Sequence, residues 1–327
     1  MAYDKGLFSS KSFDFPIIVV GNLNVGGTGK SPHIEYLIRL LINKYKIAVL
    51  SRGYKRKSKG FQLADKNSTV SLLGDEPLQF FRKFKNILVA VDSDRVNGIT
   101  SLRELNEPPQ IILLDDAFQH RKVKPGLSIL LTSFDDLYTD DLVLPSGNLR
   151  ENRKGAKRAN IIIVTKCPVN ISIEDRLRIA EKLKLGNRQL IFFSTIEYDE
   201  SLVGSDKEIS VSKLKNYKVL LVTGIANSKP LEEYLGSLKI DFNHLKFRDH
   251  HRFSKLDIEK INRRFENIKE HKKLILTTEK DYVRLFSSKN KSIYYLPIRS
   301  KIIDKEENFK EEILNYVREN SRDSYFS

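Results

Sequence analysis

Val20-Gly21-Asn22-Leu23-Asn24-Val25-Gly26-Gly27-Thr28-Gly29-Lys30-Ser31 is the stretch that decides the fold. The apolar run 16–20 before it reads as a buried strand. Residues 30–43 after it read as a helix, with Ile34, Leu37, Ile38 and Leu41 at i, i+3, i+4 and i+7. Strand, glycine-rich loop, Lys-Ser and helix are the context that a phosphate-binding P-loop needs. Glycines let successive backbone N–H groups converge on phosphate oxygens, and the helix N-terminus adds its positive end. Lys30 then reaches the β- and γ-phosphates and the Ser31 hydroxyl ligates Mg²⁺. Asn24 stands where the usual pattern has glycine, and Asn tolerates left-handed backbone better than most residues. The competing structural reading is a strand-to-helix turn whose glycines serve tight packing. The strand before the loop, its extra glycines and the helix after it weigh against that reading.

Outward from the loop, short apolar runs alternate with helical patterns. Strands are expected at 47–50, 86–91, 111–114, 127–131 and 160–164, and a helix at 94–105. Continuous apolar runs, rather than alternation, suit a parallel sheet covered on both faces, so the fold class is α/β. Residues 194–216 are polar and charged. A second βα series follows, with strands at 217–222, 240–246, 274–277 and 292–297. Its helices are expected at 230–238, 255–268, from 280, and at 306–320. The expected division is a P-loop nucleotide-binding domain over 1–205, with a mainly parallel sheet, and a smaller α/β domain over 206–327.

Composition narrows the chemistry. The chain has 327 residues, 40% hydrophobic and 30% charged, which excludes wholesale disorder. A single cysteine, Cys167, excludes a disulfide framework and a cysteine-rich zinc site, and reads as a small buried hydrophobe. No run reaches the roughly 18 apolar residues of a membrane span. Residues 1–15 do not read as a signal peptide, so an intracellular protein is expected. The formal net charge is +15. It reads either as a Lys-rich composition or as preference for an anionic partner. Two clusters favour the partner: Arg52, Lys55, Arg56, Lys57 and Lys59, and Arg150, Arg153, Lys154, Lys157 and Arg158. No DNA- or RNA-binding signature accompanies the charge, so nucleic acid is not an expected partner.

Three further groups could carry chemistry. Ile111-Ile112-Leu113-Leu114-Asp115-Asp116 is a strand ending in two acids, which is how a P-loop enzyme delivers a carboxylate to Mg²⁺. Gly74-Asp75-Glu76-Pro77 reads structurally as a helix start opened by Pro77 and capped by Asp75 or Glu76. Functionally it reads as one carboxylate toward metal and one toward a substrate hydroxyl. Arg248-Asp249-His250-His251 reads as exposed loop histidines or as a general base or its partner. No further Cys or His surrounds it, so a metal site fits poorly.

Taken together, these strings resemble the tetraacyldisaccharide 4′-kinase family, the lipid A 4′-kinases of Gram-negative bacteria. The resemblance rests on residues 20–32, Ser51-Arg52-Gly53-Tyr54-Lys55-Arg56, Gly74-Asp75-Glu76-Pro77 and Asp115-Asp116-Ala117-Phe118-Gln119-His120-Arg121. It continues through Leu144-Pro145-Ser146-Gly147-Asn148-Leu149-Arg150-Glu151, Asp249-His250-His251 and Thr278-Glu279-Lys280-Asp281. All come in the family's order, across about 16–285. The family's phosphate loop also lacks the first glycine, which accounts for Asn24.

The resemblance implies ATP-dependent phosphorylation of the 4′-hydroxyl of tetraacyldisaccharide 1-phosphate, a membrane lipid. It also implies peripheral attachment at the cytoplasmic face of the inner membrane, and a second domain that closes over the nucleotide. Carried over by motif, Asp75 is the catalytic base and His250 its partner. Asn24, Val25, Gly26, Gly27, Thr28, Gly29, Lys30 and Ser31 hold ATP. Ser31, Glu76, Asp115 and Asp116 lie at Mg²⁺. Family members usually begin with an apolar or amphipathic helix, whereas here only residues 1–15 precede the first strand. That leaves a start further upstream, or docking by other surfaces such as the basic clusters on an anionic membrane. The rival functions are a P-loop GTPase or ATPase switch, or a metal-insertion factor.

Overall fold

The computed structural model describes residue 3 and residues 8–204, 208–249, 251–285 and 292–321. In chain order its elements begin with β1 (Ile17–Asn22), α1 (Lys30–Leu41), β2 (Ile47–Ser51), β3 (Gln62–Leu63), α2 (Val70–Leu73), α3 (Asp75–Lys83), β4 (Ile87–Val91), α4 (Arg95–Arg103) and β5 (Ile111–Asp115). They continue through β6 (Leu127–Ser133), β7 (Ile161–Thr165), α5 (Ile173–Leu183), β8 (Leu190–Tyr198), β9 (Ser201–Gly204), β10 (Glu208–Ser210), β11 (Lys218–Thr223) and α6 (Lys229–Ser237). The last are β12 (Phe242–Lys246), α7 (Lys255–Glu266), β13 (Lys273–Thr277), α8 (Glu279–Leu285), β14 (Ile293–Tyr295), β15 (Ile298–Ile302) and α9 (Glu306–Asn320).

Two compact units form: Met1–Glu197 with Arg299–Ser327, and Tyr198–Ile298. The first unit holds a nine-stranded sheet in the order β15-β8-β7-β6-β1-β5-β2-β4-β3. From β4 through β2, β5, β1, β6 and β7 to β8 every pairing is parallel, and β3 pairs antiparallel with β4. Side chains alternate between the two faces of these strands, and both faces are dry. Ile112 and Leu114 enter one core with Leu50, Ile162 and Phe193, whereas Ile111 and Leu113 enter the other with Val20 and Val49. The helical stripe Ile34, Leu37, Ile38 and Leu41 packs into that second core. β1 and α1 lead to β2 on one side of β1, while β6 lies on its other side. Such a divergence opens a crevice at the carboxyl ends of the strands, where ligands bind in open α/β sheets.

The C-terminal segment departs from the expected division. Residues 299–321, expected in the second domain, belong to the first unit. β15 is the neighbour of β8 in the large sheet. Phe309, Ile313 and Val317 of α9 pack into the same core as α1. The Tyr36 hydroxyl donates to Glu306 at 2.8 Å, and the Tyr316 hydroxyl bonds the backbone N–H and C=O of Ile17 at 3.0 and 3.1 Å. The helical pattern at 306–320 was legible, but its long-range partners on α1 and β1 were not.

The second unit is a six-stranded sheet, β10-β9-β14-β13-β11-β12. β14, β13, β11 and β12 run parallel, and the β9–β10 hairpin pairs antiparallel with β14. Its two faces carry separate cores, around Leu221 and Leu276 and around Val222 and Ile275.

One contact fixes the helices that flank the crevice. Glu35 of α1 is 2% exposed at its side chain, yet it holds two groups of α3. Lys83 Nζ lies 2.8 Å from its Oε2 and Gln79 Nε2 donates to its Oε1 at 3.1 Å, while Arg39 donates at 2.8 Å. Removing one partner of a buried charged cluster leaves the others desolvated without compensation. Glu35→Ala is expected to destabilise the protein by roughly 2 kcal/mol, read as a lowered midpoint in urea unfolding, and Glu35→Gln to recover part of that loss.

Candidate active site

The loop between β1 and α1 takes its shape from two glycines and several tethers. Gly29 precedes α1 at φ 85°, in the left-handed region. Gly21 ends the straight part of β1 so close to the next strand's exit that a Cβ there would lie 2.6 Å from Phe118 Cβ. Val25, Gly26 and Gly27 are exposed, and a Cβ built on Gly26 or Gly27 would meet nothing within 4 Å. The base of the loop is stitched down. Val25 N–H donates to Asn148 O and Arg150 N–H to Leu23 O, both at 2.7 Å. Asn22 Nδ2 donates to Asn24 O at 2.8 Å, and Thr165 Oγ1 to Thr28 O at 2.9 Å. Asn24 itself is buried and reaches Asp136 and Asp141, each at 3.4 Å.

Lys30 opens α1 and projects back over the strand end. Its Nζ lies 3.1 Å from Asn22 Oδ1 and 3.5 Å from Asp116 Oδ1. Ser31 follows as the second residue of α1. Burial alone would raise the Asp116 carboxyl, but Lys30 and Arg150 outweigh it and hold it below the usual carboxylate range. Arg150 Nη1 reaches both Asp116 oxygens, at 2.9 and 3.0 Å. Asp115, one residue earlier on β5, is 3% exposed and differently placed. Ser51 Oγ donates to its Oδ2 at 2.9 Å, while its Oδ1 has no hydrogen-bond partner among the described residues. Burial, then Glu76 and Asp116, push this carboxyl up to about 7, against the opposing pull of Lys30 and Ser51.

Asp75 and Glu76 are the first two residues of α3, with Gly74 as its N-cap at φ 96°. The helix therefore starts before Pro77, which sits in its first turn, and Asp75 is a helical residue rather than the cap. Both acids lie at the positive end of the helix dipole, with Arg82 and Lys83 at the other end. Asp75 Oδ1 accepts the Glu76 N–H at 3.1 Å. Glu76 lies near enough to Asp115 to raise it. Among the described residues no three Asp, Glu, His or Cys side chains form a group able to hold a metal ion by themselves.

His250 lies outside the described residues. Its neighbour His251 is a packing residue of the second unit. Its Nε2 lies 3.0 Å from Asp257 Oδ2, and its ring stacks on Phe247 at 4.7 Å. Asp257 also caps α7 with Ser254 and is held at about 2, chiefly by the Ser254 bonds. The Thr278-Glu279-Lys280-Asp281 string is likewise structural. Buried Asp281 accepts the Gly224 N–H and the Thr278 hydroxyl, each at 2.8 Å, and pairs with Arg284 at 2.9 Å.

Two residues near the loop escaped sequence reasoning. Arg95, at the start of α4, is 2% exposed and donates to Asp92 O at 2.7 Å. Burial lowers it to about 10, against the pull of Asp115. His33 is fully enclosed, and burial lowers it to about 4 despite its bond to the Gly29 carbonyl. A carbonyl only accepts, so Nδ1, 2.7 Å from Gly29 O, carries the proton of this neutral ring. Nε2 is then the acceptor, with its lone pair facing Ser194 Oγ at 3.0 Å and Ser300 Oγ at 2.8 Å. The i, i+3 stripe in which His33 lies marks it only as buried; its partners are 161 and 267 residues away.

Comparison with known proteins gives concordant results. The family model described as tetraacyldisaccharide-1-P 4′-kinase matches residues 1–318. A tetraacyldisaccharide 4′-kinase of Flavobacterium johnsoniae is 57% identical over 319 residues, covering 97% of this chain and 92% of that protein. One of Bacteroides thetaiotaomicron is 46% identical over 343 residues, covering 99% and 90%. Among solved structures, the Aquifex aeolicus LpxK crystallised with ATP superposes with a TM-score of 0.76 at 30% identity, covering 97% of this chain and 93% of that one.

A histidine whose folded value lies below its unfolded 6.5 stabilises the fold in its neutral form. Its contribution is complete above pH 6.5 and is lost as pH falls through 6.5 toward 4. Urea unfolding at pH 7 and pH 5 is expected to show a smaller difference for His33→Gln than for the wild type. An unchanged difference would place the acid sensitivity elsewhere.

Proposed function

The chain belongs to the tetraacyldisaccharide-1-P 4′-kinase family, and on that premise we propose how its own residues carry the reaction. The enzyme is an ATP-dependent lipid A 4′-kinase: it transfers the γ-phosphoryl group to the 4′-hydroxyl of tetraacyldisaccharide 1-phosphate. The observation that carries this reading is the phosphate loop with Lys30 at the strand end, facing the Asp115–Asp116 pair. A GTPase or ATPase switch or a metal-insertion factor is not favoured, since neither needs a family match that runs through both units.

Phosphoryl transfer leaves little covalent work to the protein, so positioning and charge neutralisation dominate. The exposed backbone at Gly26 and Gly27 offers N–H donors to the β- and γ-phosphates, with Lys30 as the cation beside them. Lys30 is already held near this place by Asn22 and Asp116. Exchange of a 3.5 Å ion pair for a phosphate oxygen costs it little. Mg²⁺, when bound with the nucleotide, would supply positive charge that offsets the charge of the phosphates. Oxygen donors suit it, and Mg²⁺ normally takes one or two carboxylates plus phosphates and waters rather than an all-protein cage. Asp115 fits best, because its buried Oδ1 has no partner among the described residues. Ser31 and Glu76 are its proposed companions. Asp116, occupied by Lys30 and Arg150, acts beside them by orienting those cations.

Asp75 is the proposed general base, drawing the proton from the 4′-hydroxyl as the bond to phosphorus forms. Its place in the first turn of α3 sets the carboxylate at the positive end of that helix. His250 is retained as its partner in proton transfer, on the motif alone. The acceptor is a lipid, and no helix among the described residues is long and apolar enough to cross a membrane. We therefore place the enzyme peripherally, on the anionic cytoplasmic face of the inner membrane.

The deciding experiment is transfer of labelled γ-phosphate from ATP to purified tetraacyldisaccharide 1-phosphate in detergent micelles, with and without Mg²⁺. Lys30→Ala is expected to remove most activity while circular dichroism stays native. Retention of activity within a few-fold would sink the phosphate-loop assignment. Asp75→Ala should lower kcat by roughly 10²–10⁴ with ATP affinity unchanged. Combined with His250→Ala, it should be little worse than the poorer single variant, because groups that act as a unit are non-additive. Glu76→Ala should instead raise the Mg²⁺ concentration needed for half-maximal rate.

A further inference from the structure

Two consecutive carbonyls at the end of the phosphate loop, those of Thr28 and Gly29, are each held by a buried side chain. Thr165 Oγ1, on β7, donates to Thr28 O at 2.9 Å, the shorter of its two contacts, with Thr132 O at 3.3 Å. His33 Nδ1 donates to Gly29 O at 2.7 Å. The backbone N–H of His33 also reaches Gly29 O, at 3.3 Å, so the imidazole makes the closer bond. The Ser194 and Ser300 hydroxyls beside Nε2 steady the ring in turn. His33, Thr165, Ser194 and Ser300 are all buried, so water does not compete for these bonds.

Each held carbonyl fixes the N–H that follows it. Both peptides are trans and planar, so their C=O and N–H point in opposite directions. Holding Thr28 O and Gly29 O inward turns the N–H groups of Gly29 and Lys30 the other way. As the N-cap and first residue of α1, these two have no helical carbonyl to meet. Neither donates to another backbone carbonyl among the described residues. Gly29 is left-handed and Lys30 right-handed, the alternation that gathers successive N–H groups into an anion-binding concavity. Glycine backbone rotates easily, and a flipped peptide would present a partly negative carbonyl oxygen to a phosphate.

We propose that His33 and Thr165 are positioning residues for the ATP phosphates. By gripping two carbonyls they keep the Gly29 and Lys30 N–H groups turned toward the phosphates before the nucleotide arrives. Donors set in advance need no reordering on binding. The proposal rests on the phosphate-loop reading above and adds to it the side chains that hold the loop in its binding form. Thr277 of the second unit makes the same kind of bond, from Oγ1 to Val222 O at 2.7 Å, in an equally buried place. It grips a carbonyl of β11 instead of a loop, so it serves as the comparison.

The test is ATP affinity of the full chain, measured by equilibrium dialysis with Mg²⁺ and no acceptor, on protein shown to be folded by circular dichroism. His33→Gln keeps a polar group toward the serines but loses the donor at Nδ1, and Thr165→Val loses the donor at constant shape. Each is expected to raise the dissociation constant roughly tenfold, about the worth of one hydrogen bond to a charged group. His33→Asn, whose amide restores a donor near the Nδ1 position, is expected to stay within about threefold of wild type. Thr277→Val is expected to lose stability in urea and keep wild-type affinity. In the micelle assay KM for ATP should rise in His33→Gln and Thr165→Val, while kcat at saturating ATP holds within about twofold. Wild-type affinity in either folded variant would overturn the proposal, as would equal weakening in Thr277→Val or no recovery in His33→Asn. The two loop variants act through different bonds, so if one fails to fold the other decides. Absence of ATP binding by the wild type would instead bring down the phosphate-loop reading itself.

Discussion

A neutral imidazole, enclosed in protein and unable to leave its tautomer, is the fixed point of the first unit. His33 must donate from Nδ1 because the Gly29 carbonyl has nothing to give. Burial keeps it uncharged, so Nε2 presents one lone pair to the hydroxyls of Ser194 and Ser300, which lie beside it. Those serines lie on β8 and β15, the far edge of the large sheet. The same Gly29 has the left-handed backbone that turns the loop into α1. The conformation of the phosphate loop is therefore not a local property of its glycines. It depends on a strand that the chain supplies only after it has completed the whole second unit.

The acids of the site are divided by the same kind of constraint. Asp115 and Asp116 are adjacent in sequence, yet the backbone turns between them at φ 47° on Asp116. One carboxylate is left in the dry strand end and the other is sent toward Lys30 and Arg150. Low dielectric raises the first, and two cations lower the second. Two like groups with values pushed apart can take different tasks, the one accepting new positive charge and the other ordering the charge already present. Glu35 repeats the arrangement on the helices, where one buried carboxylate ties α3, which carries Asp75 and Glu76, to α1, which carries Lys30 and Ser31.

The central sheet was legible because its strands are buried on both faces and so appear as unbroken apolar runs, as at 111–114 and 161–164. The phosphate loop was legible because its chemistry demands glycines, a lysine and a hydroxyl at fixed spacing. What was not legible has a physical reason in each case. In α5 two of the apolar residues, Ile173 and Leu177, point to solvent and Ile179 and Leu183 are buried, so its pattern misreports its inner face. β15, Ile298–Ile302, has three polar residues between its two isoleucines and gives no apolar run at all. His33 and Glu35 look like ordinary members of a helix, and only the fold reveals that their partners come from α3, β8 and β15.

The family strings also divide by their contacts into those that gather around Lys30 and Asp115 and those that hold the surrounding backbone. Residues 144–151 contain no general base or metal-binding group that stands free. Instead Asn148 and Arg150 pin the phosphate loop through backbone bonds, and the Arg150 side chain orders Asp116. Glu151 receives Gln119 and Arg158, and so ties the strand end after β5 to the same segment. Asp281 grips Gly224 in a similar way within the second unit. A short motif in this chain thus identifies a place where several backbones must be held against one another. Whether that place is also chemical depends on whether a polar atom is left over once the holding is done. By that criterion Asp115, with a buried oxygen beyond what Ser51 requires, stands apart from every other carboxylate around the loop for which the contacts are described.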